Sequence, residues 1–197
     1  FCLSRGLGDV YKRQAQAISS QQIASVSDRE GVNGLDFVSA NDPRVMTVSI
    51  VSGIVGPANL DSAGTPLVIA SGVEGQLIVA EAQLRNGDKT WAATLNVLRR
   101  SGIRPAMDTL TADSTVNAPS SSQVDIFFRE RAFWLFATGH RQGDLRRLVR
   151  QYGRSVDAVF PTGPYLGGPA VYGEDVTYVP FGEQPNPNFK GCLDRSA

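Results

Sequence analysis

One stretch, VDIFFRERAFWLFATGHRQGDLRR at residues 124–147, constrains the fold more than any other part of the chain. Apolar side chains cover nearly the whole circumference of a helix drawn through residues 124–137, and only the charged trio at 129–131 interrupts them. Serines at 120–122 offer oxygens that can cap the first turn, and Gly139 suits a left-handed position after the last turn. The pattern predicts a core helix that is buried on most sides and ends at a sharp break.

A second helix is predicted directly after that break. It begins after residues 140–143, which include His140, the only histidine in the chain, and it carries Asp144 in its first turn, where a negative charge complements the helix dipole. Gly153 ends the pattern. The apolar residues of this helix recur at the spacing of a single face, and they are Leu145, Leu148, Val149 and Tyr152.

A helical hairpin is predicted upstream. Ser71 and Glu74 form a capping box at the start of its first helix, Asn86-Gly87 ends that helix, and Asp88 caps the next. The apolar seam of the second helix consists of Trp91, Leu95 and Leu98. Because so short a connection makes the two helices antiparallel, the pair matches the unit from which tetratricopeptide arrays are built. The predicted fold class is mainly α, with tetratricopeptide-like hairpins, long irregular loops and a few short strands.

The rest of the chain is rich in turn-forming residues. The NDPR step at 41–44 favours a turn, because proline disfavours the helical region in the residue before it. The β-branched stretch at 45–55 predicts a short strand or hairpin, and residues 176–179 predict another strand. The tail after Gly153 alternates turn residues with single aromatics, so we expect it to wrap back over the helices.

Residues 1–14 are interpreted as foreign to the protein. Their segment SRGLGDVYKRQ back-translates, with ordinary codons, into the adaptor and mosaic end used in transposase-based sequencing libraries. We therefore expect residues 15–197 to be the C-terminal portion of a single domain whose upstream part is missing. If that part packs on the predicted hairpin, the faces around Leu77 and Trp91 should be partly bare.

Charge and residue counts exclude several kinds of site. The chain has 19 basic and 19 acidic residues, and 16 and 18 remain without residues 1–14, so no polyanion-binding surface and no nucleic-acid partner are expected. No apolar run approaches the roughly 18 residues that a membrane-spanning helix needs. Cys192 is the only cysteine outside residues 1–14, and one cysteine with one histidine cannot supply a metal site. Neither a metal nor a cofactor is predicted.

Several blocks of the sequence, in the expected order, resemble the C-terminal part of the SusD/RagB family of bacterial outer-membrane nutrient-uptake proteins. The blocks are AEAQLRNGD at 80–88, LNVLRRSG at 95–102, RERAFWLFATGHRQGDLRR at 129–147 and VPFGEQPNPN at 179–188. The SDREG…NDPR segment at 27–44 also fits the loop that such proteins place before the hairpin. The GHR..DLRR element is the most specific of them. The chain departs from the usual family pattern at Thr138 and near Trp134, where the family usually has glutamates.

The resemblance implies a truncated α-helical, SusD-like fold, held at the outer surface of the outer membrane by an N-terminal lipid anchor. Such proteins form a lid over a TonB-dependent, SusC-like transporter and capture oligosaccharides or other nutrients for import. They are binding proteins and not enzymes. Because their ligand contacts come from loops that vary with the ligand, the resemblance transfers no ligand-binding residue to this chain.

The charged residues of the predicted helices favour a structural ion-pair network. We expect the carboxylates of Glu81, Glu130 and Asp144 to pair with Arg131, Arg141 and Arg146. Glu81 and Asp144 should each meet an arginine of the 124–147 stretch. The same carboxylates are the acid–base candidates of an enzyme, if this is one. The structural motif therefore consists of Glu81, Arg131, Gly139, His140, Arg141, Asp144 and Arg146.

Two tyrosines of the tail, Tyr165 and Tyr172, are the candidate ligand-binding residues. A tyrosine ring can stack on the apolar face of a sugar while its hydroxyl bonds outward, although the same rings would also serve to pack the tail on the helices. His140 has no serine or cysteine near it in a nucleophile motif, so it is predicted to be a hydrogen-bonding structural residue.

Three functions remain open at this stage. The ordered blocks favour a surface nutrient-binding subunit that works with a transporter. The predicted hairpin alone would equally support a tetratricopeptide-like scaffold for protein interactions. A carbohydrate-active enzyme is the third, and the sequence offers it no committed acid–base pair.

Overall fold

A computed structural model describes residues 28–51, 54–60, 68–105, 107–111 and 119–164. Over these residues the protein is mainly helical, as predicted, with one small antiparallel sheet. The strands are β1 (Thr47–Val51) and β2 (Ile54–Pro57), followed by a 3-10 turn at Ala58–Leu60. The helices are α1 (Gly72–Arg85), α2 (Trp91–Arg99), α3 (Ser120–Trp134), α4 (Arg141–Tyr152) and α5 (Val156–Val159).

The described residues divide into two compact units, each assembled from separate stretches of chain. The sheet unit contains residues 28–36, the β1–β2 hairpin and residues 142–164. The hairpin unit contains residues 37–46 and the described part of 68–141, which includes α1, α2 and α3. Residues 37–46 therefore belong to the hairpin unit, although the residues before and after them in the chain belong to the sheet unit.

The predicted hairpin is present as α1 and α2. The Ser71 hydroxyl accepts a hydrogen bond from the Glu74 backbone N–H at 3.1 Å, and α1 ends at Asn86 before Gly87, whose φ is +70°. Helix α1 packs against both α2 and α3. The seam residues Trp91, Leu95 and Leu98 are all buried. The local signals at both ends of α1 are thus confirmed.

The expectation that Leu77 and Trp91 are partly bare is wrong. Leu77 is fully buried and Trp91 is 1% exposed. Along α1 the buried positions are Leu77, Ala80 and Glu81, at the i, i+3, i+4 spacing of a single helical face. The exposed apolar side chains lie elsewhere on the hairpin, at Ile78, Val79 and Val97.

The core helix α3 is buried on most sides, as predicted, but its ends differ from the expected 124–137. It begins at Ser120, so the serines form the first turn, and Pro119 occupies the N-cap position with no side-chain cap. It ends at Trp134, because the Thr138 hydroxyl and backbone N–H both bond to the Leu135 carbonyl and close a turn there. In that turn Ala137, a non-glycine residue, has a φ of +55°.

The charged trio of α3 is mostly buried. Glu130 is 2% exposed and Arg131 is 6% exposed, whereas Arg129 lies at the surface with its guanidinium over the Phe133 ring. Phe127 and Phe133 are fully buried in the same helix. Charge at these positions therefore does not mark a solvent face.

In the sheet unit the predicted hairpin at 45–55 is present as β1 and β2. Thr47 pairs with Pro57 and Ser49 with Val55, and a bulge lies between Ser49 and Val51. A second anchor of this unit is Asn33, whose amide nitrogen donates to the Phe160 carbonyl at 2.9 Å. Its amide oxygen accepts from the Thr162 backbone N–H at 2.9 Å, so one side chain joins residues 28–36 to the chain after α5.

Candidate functional site

The most enclosed polar site in the described part of the hairpin unit is centred on the Glu130 carboxylate. Arg44 reaches it with two nitrogens, Nη1 at 2.7 Å from Oε2 and Nη2 at 3.2 Å from Oε1. Arg99 reaches it from α2 with Nε at 3.0 Å from Oε2, and its Nη2 also donates to Oε1. Both carboxylate oxygens thus accept from two guanidiniums in bidentate geometry.

Asp42 holds Arg44 in place for this contact. Its Oδ1 accepts from Arg44 Nε at 2.8 Å and from the Arg44 backbone N–H at 2.9 Å, while its Oδ2 accepts from Nη2 at 2.6 Å. Burial alone would raise the pKa of Asp42, but these hydrogen bonds, with the charges of Arg44 and Arg99, bring that pKa below its ordinary value. Burial likewise opposes the charge on Arg44, and its bonds to Asp42 and Glu130 raise the pKa of Arg44 nonetheless.

Aromatic rings form the apolar wall beside Arg44. The centre of its guanidinium is 5.2 Å from the Phe133 ring centroid and 5.5 Å from that of Trp134, within cation–π range. Phe37 lies 5.3 Å from Phe133 and 5.2 Å from Phe136, measured between ring centroids. The segment 37–46 is therefore fixed to α3 by an aromatic contact at one end and by the Arg44 guanidinium near the other.

The geometry of this cluster suits a fixed ion-pair network better than proton transfer. Glu130 has four arginine hydrogen bonds, and its side chain is 3% exposed, while that of Arg44 is 2% exposed. A general acid or base needs a lone pair or proton directed at a substrate, whereas both oxygens of Glu130 are already engaged. The geometry supports a structural clamp that joins the NDPR turn, α2 and α3.

A second polar group surrounds His140 in the turn between α3 and α4. Its Nδ1 is 2.8 Å from the Thr138 hydroxyl oxygen, and its Nε2 is 3.0 Å from Oε1 of Glu74 on α1. The backbone N–H of Glu74 donates to the Ser71 cap, and the Glu74 side chain extends to the α3–α4 turn. His140 is a hydrogen-bonded residue in a helix connection, in line with the role expected for it.

The residues of the predicted structural motif all lie in the described part of the hairpin unit or in α4. Glu81 is 7% exposed in α1, and Gly139 has a φ of +86°. Arg141 is the first residue of α4, and Asp144 is 3% exposed with its Oδ1 at 2.8 Å from Arg147 Nη2. Arg147 belongs to the 124–147 stretch. Burial, followed by the nearby charge of Arg150, lowers the pKa of Arg146.

Two partners of Glu130 were not foreseen from the sequence. The expected network drew on Arg131, Arg141 and Arg146, whereas Glu130 binds Arg44 and Arg99. The available signal was the NDPR turn itself, because Arg44 lies two residues after Asp42 and is within reach of that carboxylate. Nothing in the spacing of Arg99 identifies its partner.

Other predicted residues lie outside the part of the chain that the structure describes. They are Tyr165, Tyr172, Cys192, the strand expected at 176–179 and residues 1–14. Among the described residues, no group of three or more His, Cys, Asp or Glu side chains is placed to hold a metal ion. No described helix combines the length and apolar character needed to cross a bilayer.

Comparison with known proteins adds no relative to this picture. No family model matches the chain, and no curated protein or solved structure gives a significant match.

Proposed function

We propose that this chain is the C-terminal part of a surface nutrient-binding protein of the SusD/RagB type. In this proposal it binds a glycan or another nutrient, acts with a TonB-dependent, SusC-like transporter, and is held on the outer membrane by a lipid anchor. It is a binding subunit and not an enzyme. The proposal rests on the ordered sequence blocks and on how two of them meet the SDREG…NDPR segment in the structure.

The observation that carries the proposal is the clamp at Glu130. Arg44 comes from the SDREG…NDPR segment, Arg99 from the LNVLRRSG block and Glu130 from the RERAFWLFATGHRQGDLRR block. Arg44 is 86 residues from Glu130 in sequence, and Arg99 is 31 residues from it. Two blocks and one loop segment that resemble a single family thus share one buried contact, which favours a common structural origin for the pattern.

The finer architecture in this proposal is a tetratricopeptide-like scaffold. In support of it, α1 and α2 are separated by a short connection, pack against each other, and bury one seam each. The Thr94 hydroxyl also donates to Gln83 Oε1 at 2.8 Å across that connection. A scaffold for protein interactions would use the same hairpin, but the long loops and the GHR..DLRR element of the sequence argue against it.

The flanking DNA of the gene provides the most direct test. We expect an in-frame lipoprotein signal upstream and a neighbouring reading frame for a TonB-dependent transporter. A start codon with no export signal, in a gene with no transporter beside it, would contradict the proposal.

Ligand binding is tested with the complete protein on an oligosaccharide array. We expect at least one glycan to bind, and we expect Tyr165→Ala combined with Tyr172→Ala to weaken that binding about tenfold through loss of ring stacking. Tyr178→Ala is the matched control in the same tail and should bind normally. Binding that survives the double substitution would remove these two tyrosines from the site without affecting the family proposal.

A further inference from the structure

Two steps of the sequence, Asn33-Gly34 and Asn86-Gly87, carry the pair of residues most prone to spontaneous deamidation. In this chemistry the backbone nitrogen of the glycine attacks the side-chain carbonyl carbon of the asparagine. The bond from that carbon to the side-chain nitrogen breaks, and ammonia leaves with the proton of the backbone N–H. Glycine favours the reaction because it has no Cβ to hinder the approach and because its backbone is flexible. Water then opens the cyclic imide to aspartate or isoaspartate.

Hydrogen bonds hold the side chain of Asn33 away from this reaction. Both asparagines are exposed, so exposure does not distinguish them. The Nδ2 of Asn33 donates to the carbonyl oxygens of Asp157 at 2.8 Å and Phe160 at 2.9 Å. Its Oδ1 accepts from the Thr162 backbone N–H at 2.9 Å and from the Thr162 hydroxyl at 3.1 Å. The Asn33 amide must therefore lose several bonds before it can turn toward Gly34.

The two glycines differ in the space around them. A Cβ added to Gly34 would overlap the carbonyl oxygen of Glu30, and the same oxygen accepts from the Gly34 N–H at 2.9 Å. A Cβ added to Gly87 would have no atom of the described residues within 4 Å, apart from its two chain neighbours. Gly34 is thus packed against the chain before it, whereas the backbone at Gly87 has room to rotate.

Asn86 lies at the exposed end of α1 with fewer restraints. Its backbone N–H donates to the Ala82 carbonyl at 3.1 Å, but within the described part of the chain no hydrogen bond is recorded for its side-chain amide. The attacking nitrogen, that of Gly87, donates to the Leu84 carbonyl at 3.1 Å. This bond lies at an exposed helix end, where local opening costs least. The Asn86 side chain is therefore free to meet the Gly87 nitrogen when the end of α1 opens.

We propose that Asn86 is a site of spontaneous covalent modification in the folded protein, and that Asn33 is protected from the same reaction. The amide of Asn86 is lost as ammonia through the cyclic imide, and water supplies the oxygen of the new carboxylate. The inference depends on the contacts of the two Asn-Gly steps and not on the proposed function.

Either product changes the connection between α1 and α2. The new carboxylate lies at the C-terminus of α1, where the helix dipole disfavours a negative charge. Isoaspartate also adds one carbon to the backbone between residues 86 and 87. The bond from the Asp88 N–H to the Gln83 carbonyl, at 2.9 Å, spans that position, so the isoaspartate form should weaken it. The modification thus loosens the connection of the hairpin.

Peptide mass mapping of the whole 197-residue chain tests the proposal after the folded protein is incubated at mildly alkaline pH in water enriched in heavy oxygen. Each conversion places one heavy oxygen in the new carboxylate, so it is distinguished from any change made before the incubation. We expect Asn86 to convert at least about tenfold faster than Asn33, because Asn33 must first lose two or more hydrogen bonds. Equal conversion at the two sites, or faster conversion at Asn33, would overturn the proposal.

Unfolding in urea is the control for the sequence itself. Both steps are Asn-Gly, so in urea we expect similar conversion rates at residues 33 and 86. Conversion of Asn86 in urea but not in the folded chain would contradict the proposal.

The substitution Asn86→Gln removes the site at an exposed position, because glutamine forms a cyclic imide far more slowly. We expect the isoaspartate content of the folded chain, measured by isoaspartate-specific methylation, to fall to background. Isoaspartate that stays at the wild-type level in the folded Asn86→Gln variant would show that the reaction occurs at another residue and would refute the assignment.

Discussion

Glu130 illustrates how a single charge is kept inside this protein. Its carboxylate is buried, and arginines from two distant segments supply every hydrogen bond recorded for it. Buried ion pairs of this kind add little net stability over a well-packed apolar alternative, but removing one partner leaves the others uncompensated. The arrangement therefore fixes which segments meet more than it adds to the free energy of unfolding.

Glu130→Gln is expected to lower the free energy of unfolding by about 3–5 kcal/mol, because two guanidiniums would then face a neutral amide in a buried site. Urea unfolding measures the change. Asp125→Asn removes an exposed carboxylate from the same helix and should cost less than about 0.5 kcal/mol. Similar losses of stability in the two variants would show that the cost of Glu130→Gln does not come from the burial of Glu130.

Ala137 has a backbone conformation that suits glycine. Its φ of +55° places Cβ against the next carbonyl, at a cost of about 1–2 kcal/mol for an L-residue. We expect Ala137→Gly to raise the free energy of unfolding by about 0.5–1 kcal/mol after the added entropy of the unfolded chain is subtracted.

Ala82→Gly is the matched control for that change, since Ala82 is exposed within α1 and glycine should cost about 1 kcal/mol there. Thermal unfolding of both variants measures whether the free energy of unfolding rises or falls in each. A loss of stability in both would mean that the positive φ at Ala137 carries no strain.

At the residue scale the sequence predicts that a charge needs a partner but not which partner it finds. A glutamate between arginines on an apolar helix must be neutralised, and the expected candidates were the arginines next to it in the chain. The observed partners, Arg44 and Arg99, depend on the path of the chain in three dimensions. The left-handed conformation of Gly139 was predicted from the sequence, because it depends on the residue itself and on its place after a helix.

At the element scale, side-chain caps account for where α1 begins and residue conformation accounts for where it ends. Both signals lie within a few residues, so the sequence was sufficient for them. The ends of α3 were missed because Pro119 starts the helix without a side-chain cap and because Thr138 closes a turn before Gly139 is reached. The contact between Glu74 and His140 joins two elements, so capping rules alone did not predict it.

Ser71→Ala is expected to destabilise the protein by about 1 kcal/mol, because the Glu74 backbone N–H loses its cap. Ser155→Ala provides a control at the start of α5, where the exposed Ser155 side chain makes no cap bond. Chemical unfolding of the two variants should rank Ser71→Ala as the more costly. Equal effects would mean that the cap at Ser71 is replaced by solvent without loss.

At the scale of the whole molecule, the hairpin unit includes a segment, residues 37–46, that is separated in sequence from the helices of that unit. Residues 37–46 join it through Phe37 and Arg44, and the chain belongs to the sheet unit on both sides of this segment. Neither the composition nor the helical periodicity of the sequence indicates this exchange. The family blocks gave only the order of the segments and not their contacts.

Global stability should depend on pH through Asp42. Its pKa is lowered in the folded protein, so its contribution is complete above the ordinary pKa of about 4 and is lost as the pH falls through the lower folded value. Asp42→Asn should therefore flatten the acid side of the stability profile and cost about 2 kcal/mol near pH 7, through the weakened bonds to Arg44.

The exposed pair of Arg29 and Asp36 gives the comparison for that measurement. Their side chains are 51% and 45% exposed at an N–O distance of 2.7 Å, and such pairs are worth under about 1 kcal/mol. Asp36→Asn should leave the acid limb nearly unchanged in urea unfolding measured from about pH 2 to pH 6. An acid limb that is equally steep with and without Asp42 would contradict its role.

The order of the three clamp residues along the chain has a consequence for synthesis on the ribosome. Arg44 and Arg99 are both translated before Glu130, so two cations are already present when the buried carboxylate emerges. The separation of 86 positions between Arg44 and Glu130 makes closure of that loop costly in entropy, but the cost rises only slowly with length. A chain that grows from its N-terminus can therefore complete this clamp as soon as α3 leaves the exit tunnel, without waiting for any residue beyond it.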